Sequence, residues 1–267
     1  MARLSYSLFS FFSILFAFSC NKPKDEGPLT LSYGSPVIYL KNQSTDYIVY
    51  PTKSRVGTYT AFPEGIEIDD NTGAINVTDS ETGLKYKITY TSPGGDTAST
   101  IVLLSGIQFA DQFYRLSQND SIAFPIYNGN PANPLPLSGS SFDDSGTANS
   151  GGCSVRTTNG QINLAQTVRN GVFGSTPQND ARVEFEIEYK LNDQSDKAKN
   201  KIKVKLYYYE TLADVTADLL QTLNDRQQQG VFLGMNNTGF GSGSTARTGG
   251  VSAIAKPRPP CIIIIGQ

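Results

Sequence analysis

The chain has 267 residues, with 22 basic and 24 acidic side chains and a formal net charge of −2 at pH 7. This balance gives no electrostatic reason to expect a nucleic acid as partner. The sequence contains no histidine and no tryptophan. Ordinary catalytic triads and zinc sites, which depend on imidazole, are therefore excluded, as is a flat indole platform for sugars. We expect no cofactor.

The amino-terminal segment, residues 1–19, has the composition of an export signal. Arg3 supplies one positive charge, and residues 8–18 form an apolar run broken by two serines. The run is too short to cross a bilayer core about 30 Å thick but suits the hydrophobic region of a secretory signal. Small Ser19 then precedes Cys20. An ordinary signal peptide with an incidental cysteine and a buried amino-terminal helix remain alternatives.

The four residues Ala17-Phe18-Ser19-Cys20 resemble the lipobox of bacterial lipoproteins. Ala17 stands where Leu is usual and Phe18 where a small residue is common, but looser lipoboxes are familiar in lipoproteins of Bacteroidota, which this chain resembles. The resemblance implies that Cys20 becomes the first mature residue, with a thioether-linked diacylglycerol and an acylated amine, such as a palmitoyl amide. It thereby implies an outer-membrane protein held by its lipid. Several acyl chains give stable anchoring, because each buried methylene contributes about 0.8 kcal/mol.

Residues 20–35 are predicted to form a lipidated tether. Within them, Lys24-Asp25-Glu26 is similar to the short Lys-plus-acid signal that directs some Bacteroidota lipoproteins to the outer face of the outer membrane. The alternative is a solvated charged linker, because such a composition cannot bury enough apolar surface to fold. Periplasmic and cell-surface orientations both stay open.

Residues 36–107 predict a compact β-sandwich. Seven short apolar or alternating runs are separated by Gly, Pro, Asn and Asp, which favour chain reversals. These runs are PVIYLKN, DYIVYP, GTYTAF, GIEID, AINVT, LKYKITYT and STIVLLSG. The stretch FPEGIEIDDNTGAINVT, residues 62–78, with the Tyr-rich run after it, resembles the small bacterial immunoglobulin-like repeats. That resemblance implies an immunoglobulin-like sandwich used for adhesion or spacing, without an activity of its own.

Four acidic residues in this stretch are candidate calcium ligands, since cadherin-like repeats carry similar Asp-x-x-Thr-Gly hairpins. They are Asp69, Asp70, Asp79 and Glu81. Calcium requires six or more converging oxygen donors. The chain lacks the Asp-x-Asn-Asp-Asn linker of cadherins, and acidic residues in turns are commonly just solvated. We therefore predict no metal site, and these four residues are the weak candidates for calcium ligands.

Residues 108–229 predict a second β-sandwich, so the expected fold class is all-β with two tandem immunoglobulin-like domains. Residues 128–153 are rich in Pro, Gly, Ser and Asn and predict a long exposed loop or a disordered insert. Two alternating runs follow, RVEFEIEYKL and KIKVKLYYY. Antiparallel pairing in which residue numbers sum to 389 sets Glu184 opposite Lys205 and Val183 opposite Leu206. A slip by one residue would place charges in the core, so we interpret this Glu/Lys ladder as structural.

The last part of the chain predicts a short helix over 211–229 and a flexible Gly/Ser/Pro-rich tail over 230–267. The apolar stripe of the helix consists of Leu212, Val215, Leu219 and Leu223. The helix packs on the second sandwich or, alternatively, docks a partner. The four isoleucines near the end predict an added edge strand. Cys153 and Cys261 are the thiols that remain after lipidation, and export permits a disulfide between them, but spacing alone cannot decide it.

The sequence thus indicates the cellular location of the protein more clearly than its activity. The leading interpretation is a non-enzymatic, membrane-anchored lipoprotein that displays β domains for adhesion or for contact with a glycan or protein ligand. The alternative is an accessory glycan-binding lipoprotein of a polysaccharide-capture system, or a divergent hydrolase with two carboxylates as acid and base. No pair of Asp or Glu residues can be assigned to that chemistry from the sequence.

Overall fold

The computed structural model describes residues 28–228 and 259–267. Within these ranges the chain consists mostly of β-sheets, with sixteen strands and three α-helices. The strands fall into a first β region, β1 to β7, and a second β region, β8 to β16. None of the helices described is long and apolar enough to cross a membrane.

The first β region contains all seven strands that the sequence predicts. They are β1 (Val37–Ile38), β2 (Ile48–Val49), β3 (Thr58–Phe62), β4 (Glu67–Ile68), β5 (Ile75–Asn76), β6 (Leu84–Thr91) and β7 (Thr97–Leu104). A four-stranded sheet has the order β1-β7-β6-β3, and a three-stranded sheet has the order β2-β5-β4. One apolar cluster joins the two sheets, with Ile75 on one side and Ile88 and Val102 on the other.

Alternation explains how β6 builds this core. Leu84, Tyr86 and Ile88 are buried, while Lys85 and Lys87 between them are exposed. Because successive strand residues point to opposite faces, one face of β6 packs inward and the other meets solvent. The predicted strand β6 is therefore confirmed, with one face buried and the other exposed.

The second β region has a different architecture. Its strands are β8 (Ile107–Gln108), β9 (Gln112–Arg115), β10 (Ile122–Ala123), β11 (Ile126–Tyr127), β12 (Ser141–Phe142), β13 (Ile162–Asn163), β14 (Ala181–Lys190), β15 (Asn200–Tyr209) and β16 (Cys261–Ile265). Its helices are α1 (Thr147–Ser150), α2 (Leu164–Arg169) and α3 (Ala217–Gln228). A five-stranded sheet has the order β12-β14-β15-β16-β9, and two ribbons pair β10 with β13 and β11 with β8.

A second immunoglobulin-like sandwich is not confirmed. β16 pairs in parallel with both β15 and β9, so the five-stranded sheet is mixed. One face of this sheet carries a cluster that includes Phe142, Val204 and Ile264, and the other face carries α3. One five-stranded sheet, with α3 on one face and the two ribbons, α1 and α2 on the other, thus replaces the expected pair of sheets.

The register of β14 and β15 is confirmed pair by pair. Glu184 lies opposite Lys205, Glu186 opposite Lys203 and Glu188 opposite Lys201. The ion pairs themselves are partly diagonal. Lys205 Nζ lies 3.6 Å from its direct partner, Glu184, whereas Lys201 Nζ lies 3.4 Å from Glu186. The pairing of strands therefore follows the prediction, while the long lysine side chains also reach a neighbouring pair.

Residues 261–265 form β16 and correct the prediction of an edge strand in a flexible tail, whereas residues 230–258 of that predicted tail lie outside the described part of the chain. All five residues of β16 are buried, and the strand lies inside the sheet. Ile262 and Ile264 join the cluster on one face, while Cys261, Ile263 and Ile265 join the cluster on the other. An uninterrupted apolar run is what a strand between parallel neighbours requires when both of its faces are covered.

The helix and the loop also differ in detail from expectation. α3 begins only at Ala217 and packs on the sheet through Leu219 and Leu223, as predicted. Val215 precedes the helix and joins the same cluster, whereas Leu212 is 45% exposed, so the predicted stripe is wrong at its start. The segment 128–153 contributes Phe142, Ala148 and Cys153 to the core of the second β region. The segment contains β12 and α1 and is an ordered part of this region. The prediction of a wholly exposed loop or a disordered insert is therefore wrong.

Candidate functional site

The residues predicted to carry lipid and export information lie outside the described part of the chain. This holds for Cys20 and for Lys24, Asp25 and Glu26. Their roles remain predictions from the sequence, as do the signal peptide at 1–19 and most of the tether at 20–35.

The four candidate calcium ligands serve other roles in the structure. Asp69 Oδ1 accepts hydrogen bonds from Thr72 N at 2.7 Å, Thr72 Oγ1 at 2.9 Å and Asn71 N at 3.0 Å. These bonds, the one from Thr72 N above all, lower the pKa of the Asp69 carboxyl. Asp70 accepts from the Asn71 amide. Asp69 therefore closes the turn between β4 and β5 and stabilises it as a carboxylate.

Asp79 and Glu81 lie at a separate place, between β5 and β6. Asp79 Oδ2 accepts a 2.7 Å bond from Asn76 Nδ2, and Glu81 Oε1 accepts a 2.7 Å bond from Gln108 Nε2. Across residues 28–228 and 259–267, no three Asp, Glu, Cys or His side chains converge in a way that could hold a metal ion. The structure thus does not bring the four acidic residues together.

Cys153 and Cys261 are both buried, and neither forms a disulfide. They belong to apolar clusters on opposite faces of the five-stranded sheet, which separates them. The disulfide left open by the sequence is therefore absent between these two residues. Burial, with a smaller effect of the Asp143 charge, raises the pKa of the Cys153 thiol to about 12.

A buried group of hydrogen bonds joins the two β regions, and we call it the junction. The Tyr189 hydroxyl lies 2.7 Å from Thr82 Oγ1 and accepts a 3.3 Å bond from Ile107 N. Asn200 Nδ2 donates to the same Thr82 oxygen at 3.2 Å. Burial raises the pKa of Tyr189, so its hydroxyl stays protonated and able to donate. A Cβ atom at Gly106 would lie 2.6 Å from this hydroxyl, which explains why a glycine stands there.

Asp193 forms the second half of the junction. Its Oδ2 accepts from Tyr127 OH at 2.8 Å and from Ser105 Oγ at 3.2 Å. The Ser105 hydroxyl also lies 3.0 Å from Asn128 Oδ1. Burial, aided by the Asp193 charge, raises the pKa of Tyr127 to about 12. Because these groups are paired across the two β regions, the junction holds the two regions in one relative orientation.

Beside the junction lies a cleft of about 230 Å³, which we call the junction cleft. The first β region contributes the segment that contains Asp79 and Glu81, and the second contributes parts of β14 and β15. Five charged side chains line it, together with the amides of Gln108 and Asn200. The charged residues are Asp79, Glu81, Glu186, Lys201 and Lys203.

Gln108 is fully buried against this cleft. Its Nε2 donates to Glu81 Oε1 at 2.7 Å and to the Thr82 carbonyl at 2.9 Å, which fixes the orientation of the amide. Its Oε1 has no hydrogen-bond partner. Buried polar atoms are nearly always paired in folded proteins, so an acceptor of this kind indicates a place for a donor.

Sequence reasoning singled out two of the lining residues, Asp79 and Glu81, as calcium candidates, but it could not identify the junction cleft. Thr82, Gln108, Glu186 and Asn200 come from distant parts of the chain, and none belongs to a recognisable motif. We interpret the Glu/Lys ladder as structural, and its strands pair in the predicted register. Two of its members, Glu186 and Lys203, nevertheless also line the junction cleft.

Comparisons with known proteins leave the family open. No family model matches the chain, and no curated protein matches it. Among solved structures, the human desmocollin-1 ectodomain is 14% identical, with 65% of this chain and 35% of that chain covered and a TM-score of 0.21. Mouse clustered PcdhgC3 EC1-3 is 9% identical, with 67% of each chain covered and a TM-score of 0.18. At these TM-scores the likeness carries no argument about fold or function.

Proposed function

We propose that this protein is a non-enzymatic lipoprotein, anchored at the outer membrane through acylated Cys20, whose β regions contact a glycan or protein ligand at the cell envelope. The apolar run before Cys20 and the polar segment after it support the anchor. Lys24-Asp25-Glu26 supports display on the outer face.

The observation that carries ligand contact is the junction cleft. A recess where two rigidly joined units meet is a common location for binding, because each unit supplies part of the lining. The hydrogen bonds of Tyr189 and Asp193 hold both walls in place without a ligand. Such preorganisation lowers the entropy lost on binding.

The first β region supports an adhesion or spacing role. Its seven strands form a four-stranded and a three-stranded sheet around one core. This strand count and division suit an immunoglobulin-like repeat, as does the hairpin that Asp69 closes. We infer that this repeat holds the junction cleft away from the membrane surface.

Anchoring is tested by membrane fractionation of cells that produce the chain. We expect the wild type in the outer-membrane fraction and the Cys20→Ser variant in the soluble fraction or with its signal uncut. Ser19→Ala is the matched control, because it keeps a small residue before the cysteine and leaves anchoring intact. Wild-type protein that is soluble, or a Cys20→Ser variant that stays in the membrane with its signal removed, would reject the anchor.

Orientation is tested by adding protease to intact cells. Surface display predicts loss of the protein from intact cells, whereas a periplasmic protein is digested only after the outer membrane is opened. The same assay on a variant with Lys24, Asp25 and Glu26 replaced by Ser asks whether these residues direct export. A surface-exposed triple variant would remove that role from them.

The hydrolase alternative depends on two carboxylates acting as acid and base. In the junction cleft each carboxylate already has a protein partner: Asp79 has Asn76, Glu81 has Gln108 and Glu186 has Lys201. We therefore propose binding without turnover. Release of reducing sugar from any bound oligosaccharide, lost in Glu186→Gln, would instead establish the hydrolase.

A further inference from the structure

The polar groups that line the junction cleft restrict the chemical class of ligand that can bind there. This inference rests on the proposed ligand-binding function. Residues with carboxylate, amide and ammonium groups line this cleft of about 230 Å³. A hydroxyl both donates and accepts, so a molecule rich in hydroxyls satisfies such a mixed lining without leaving buried groups unpaired.

Charge argues against an anionic ligand. Three carboxylates and two ammonium groups line the junction cleft, and one of the ammonium groups, Lys201 Nζ, lies 3.4 Å from Glu186 Oε2. An added anion would therefore meet more negative than positive charge. A neutral ligand meets no such repulsion, and its hydroxyls can donate charge-assisted hydrogen bonds to the carboxylates.

Gln108 adds an independent observation. Its side chain is fully buried, its amide nitrogen is committed to Glu81 and Thr82, and its Oε1 lacks a partner. This oxygen accepts and cannot donate, so the complementary ligand group at this point is a donor.

We propose that the junction cleft binds one residue of a neutral, hydroxyl-rich saccharide, with a hydroxyl donating to Gln108 Oε1. Glu186 accepts from a second hydroxyl, and the Lys203 ammonium donates to a third oxygen. The aromatic side chains of the chain take no part, since residues 78–82, 108, 186, 200–203 and 259 form the lining described. Selectivity then follows from hydrogen-bond geometry instead of stacking.

The Glu/Lys ladder supplies matched controls. Glu186 and Lys203 lie directly opposite each other and line the junction cleft, whereas Glu184 and Lys205 form the adjacent opposed pair on the same two strands, outside it. Both glutamates are partly exposed, with side-chain exposures of 36% for Glu186 and 51% for Glu184. Substitution of either by Gln therefore leaves folding intact and separates the junction cleft from the ladder.

The experiment applies detergent-solubilised full-length protein to an array of neutral and acidic oligosaccharides, followed by calorimetric titration with the strongest neutral hit. We expect neutral glycans to bind, and Glu186→Gln to raise Kd about tenfold because a charge-assisted hydrogen bond is lost. Lys203→Met is expected to weaken binding similarly. Glu184→Gln is expected to keep the wild-type Kd.

Three results would overturn the inference. They are binding of acidic glycans alone, no binding to any glycan, and equal effects of Glu186→Gln and Glu184→Gln. These failures are distinguishable from failure of the proposed function, because fractionation of the same wild-type cells reports anchoring independently. A protein that is anchored but binds no sugar would reject the saccharide and keep the lipoprotein.

Discussion

The hydroxyl of Tyr189 lies 2.7 Å from the hydroxyl oxygen of Thr82, which joins two residues 107 positions apart in the sequence. Tyr189 belongs to β14 of the second β region, and Thr82 precedes β6 of the first. Both side chains are buried, so water cannot replace this hydrogen bond if either hydroxyl is removed. This contact couples the stability of the two β regions and holds one wall of the junction cleft against the other.

Tyr189→Phe is expected to lower the free energy of unfolding by about 1–3 kcal/mol, because it leaves the Thr82 hydroxyl and the Ile107 amide without their shared partner. Urea denaturation followed by far-UV circular dichroism measures the loss. Tyr50→Phe is the matched control, since the Tyr50 side chain is 63% exposed. If both variants unfold at the same urea concentration as the wild type, the junction does not stabilise the fold.

The position of β16 inside the sheet predicts a large cost for truncating its side chains. Ile264 is fully buried, and Ile264→Ala is expected to cost about 2–5 kcal/mol through lost apolar burial and the cavity left behind. Leu220→Ala on α3 is the control, because Leu220 is 45% exposed and surface changes are usually within about 0.5 kcal/mol. A mild effect at Ile264, similar to that at Leu220, would contradict a central strand.

The ladder and β16 show where sequence reasoning succeeds and where it fails. The β14–β15 register was predictable because charges on one face and apolar residues on the other permit one alignment only. The run CIIII carries no alternation, and its parallel neighbours, β15 and β9, lie far away in the chain. Its length and apolar character indicate burial, but they do not identify the strands that flank it.

The junction cleft was unpredictable for a related reason. Its walls depend on how two units pack, and local patterns of polarity do not encode that orientation. Thr82 resembles an ordinary turn residue until Tyr189 and Asn200 are brought against it. Gln108 resembles an ordinary strand residue until its amide donates to the Thr82 carbonyl. By contrast, the seven strands of the first β region follow from alternation and turn residues within short windows, and all seven are found.

Arg226 and Asp111 form a second long-range contact, and its removal is expected to lower the free energy of unfolding. Arg226 Nη1 lies 2.8 Å from Asp111 Oδ1, and the Asp111 side chain is fully buried. The same Asp111 oxygen accepts a 2.6 Å bond from Cys261 N, at the first residue of β16. The pair therefore fixes the end of α3 and the start of β16 to one buried carboxylate.

Arg226→Met is expected to destabilise the protein by about 3–5 kcal/mol, because it removes the guanidinium from a buried carboxylate. Arg182→Met is the control: its pair with Asp180 is partly exposed, at 36% and 37%, and such pairs contribute at most about 1 kcal/mol. Adding Asp111→Asn to Arg226→Met should recover part of the loss. Equal destabilisation by the two Arg substitutions would show that burial of Asp111 is not the cause.

Cys153 is expected to resist alkylation in the folded protein. Thiolate is the reactive form, and a pKa raised to about 12 leaves very little thiolate at pH 8. In the Cys20→Ser background, iodoacetamide at pH 8 should leave Cys153 unmodified by mass spectrometry, and denaturation in urea should permit complete modification. Modification of folded Cys153 at the rate of glutathione would contradict its burial.

Asp69 predicts a specific pH dependence. Hydrogen bonds from Thr72 and Asn71 lower the pKa of its carboxyl in the folded state, whereas an unfolded aspartate titrates at about 3.9. Its contribution to stability is therefore fully present above about pH 5 and is lost as the pH falls through the folded-state pKa. Asp69→Asn should be less stable than the wild type at pH 7, and the difference should shrink between pH 5 and pH 2. Urea titrations at several pH values measure this difference.

Asp70→Asn in the same turn is the control, because Asp70 accepts a bond from the exposed Asn71 side chain and not from the backbone amides that Asp69 holds. A wild-type advantage over Asp69→Asn that persists unchanged at pH 2 would mean that the charge of Asp69 does not stabilise the turn.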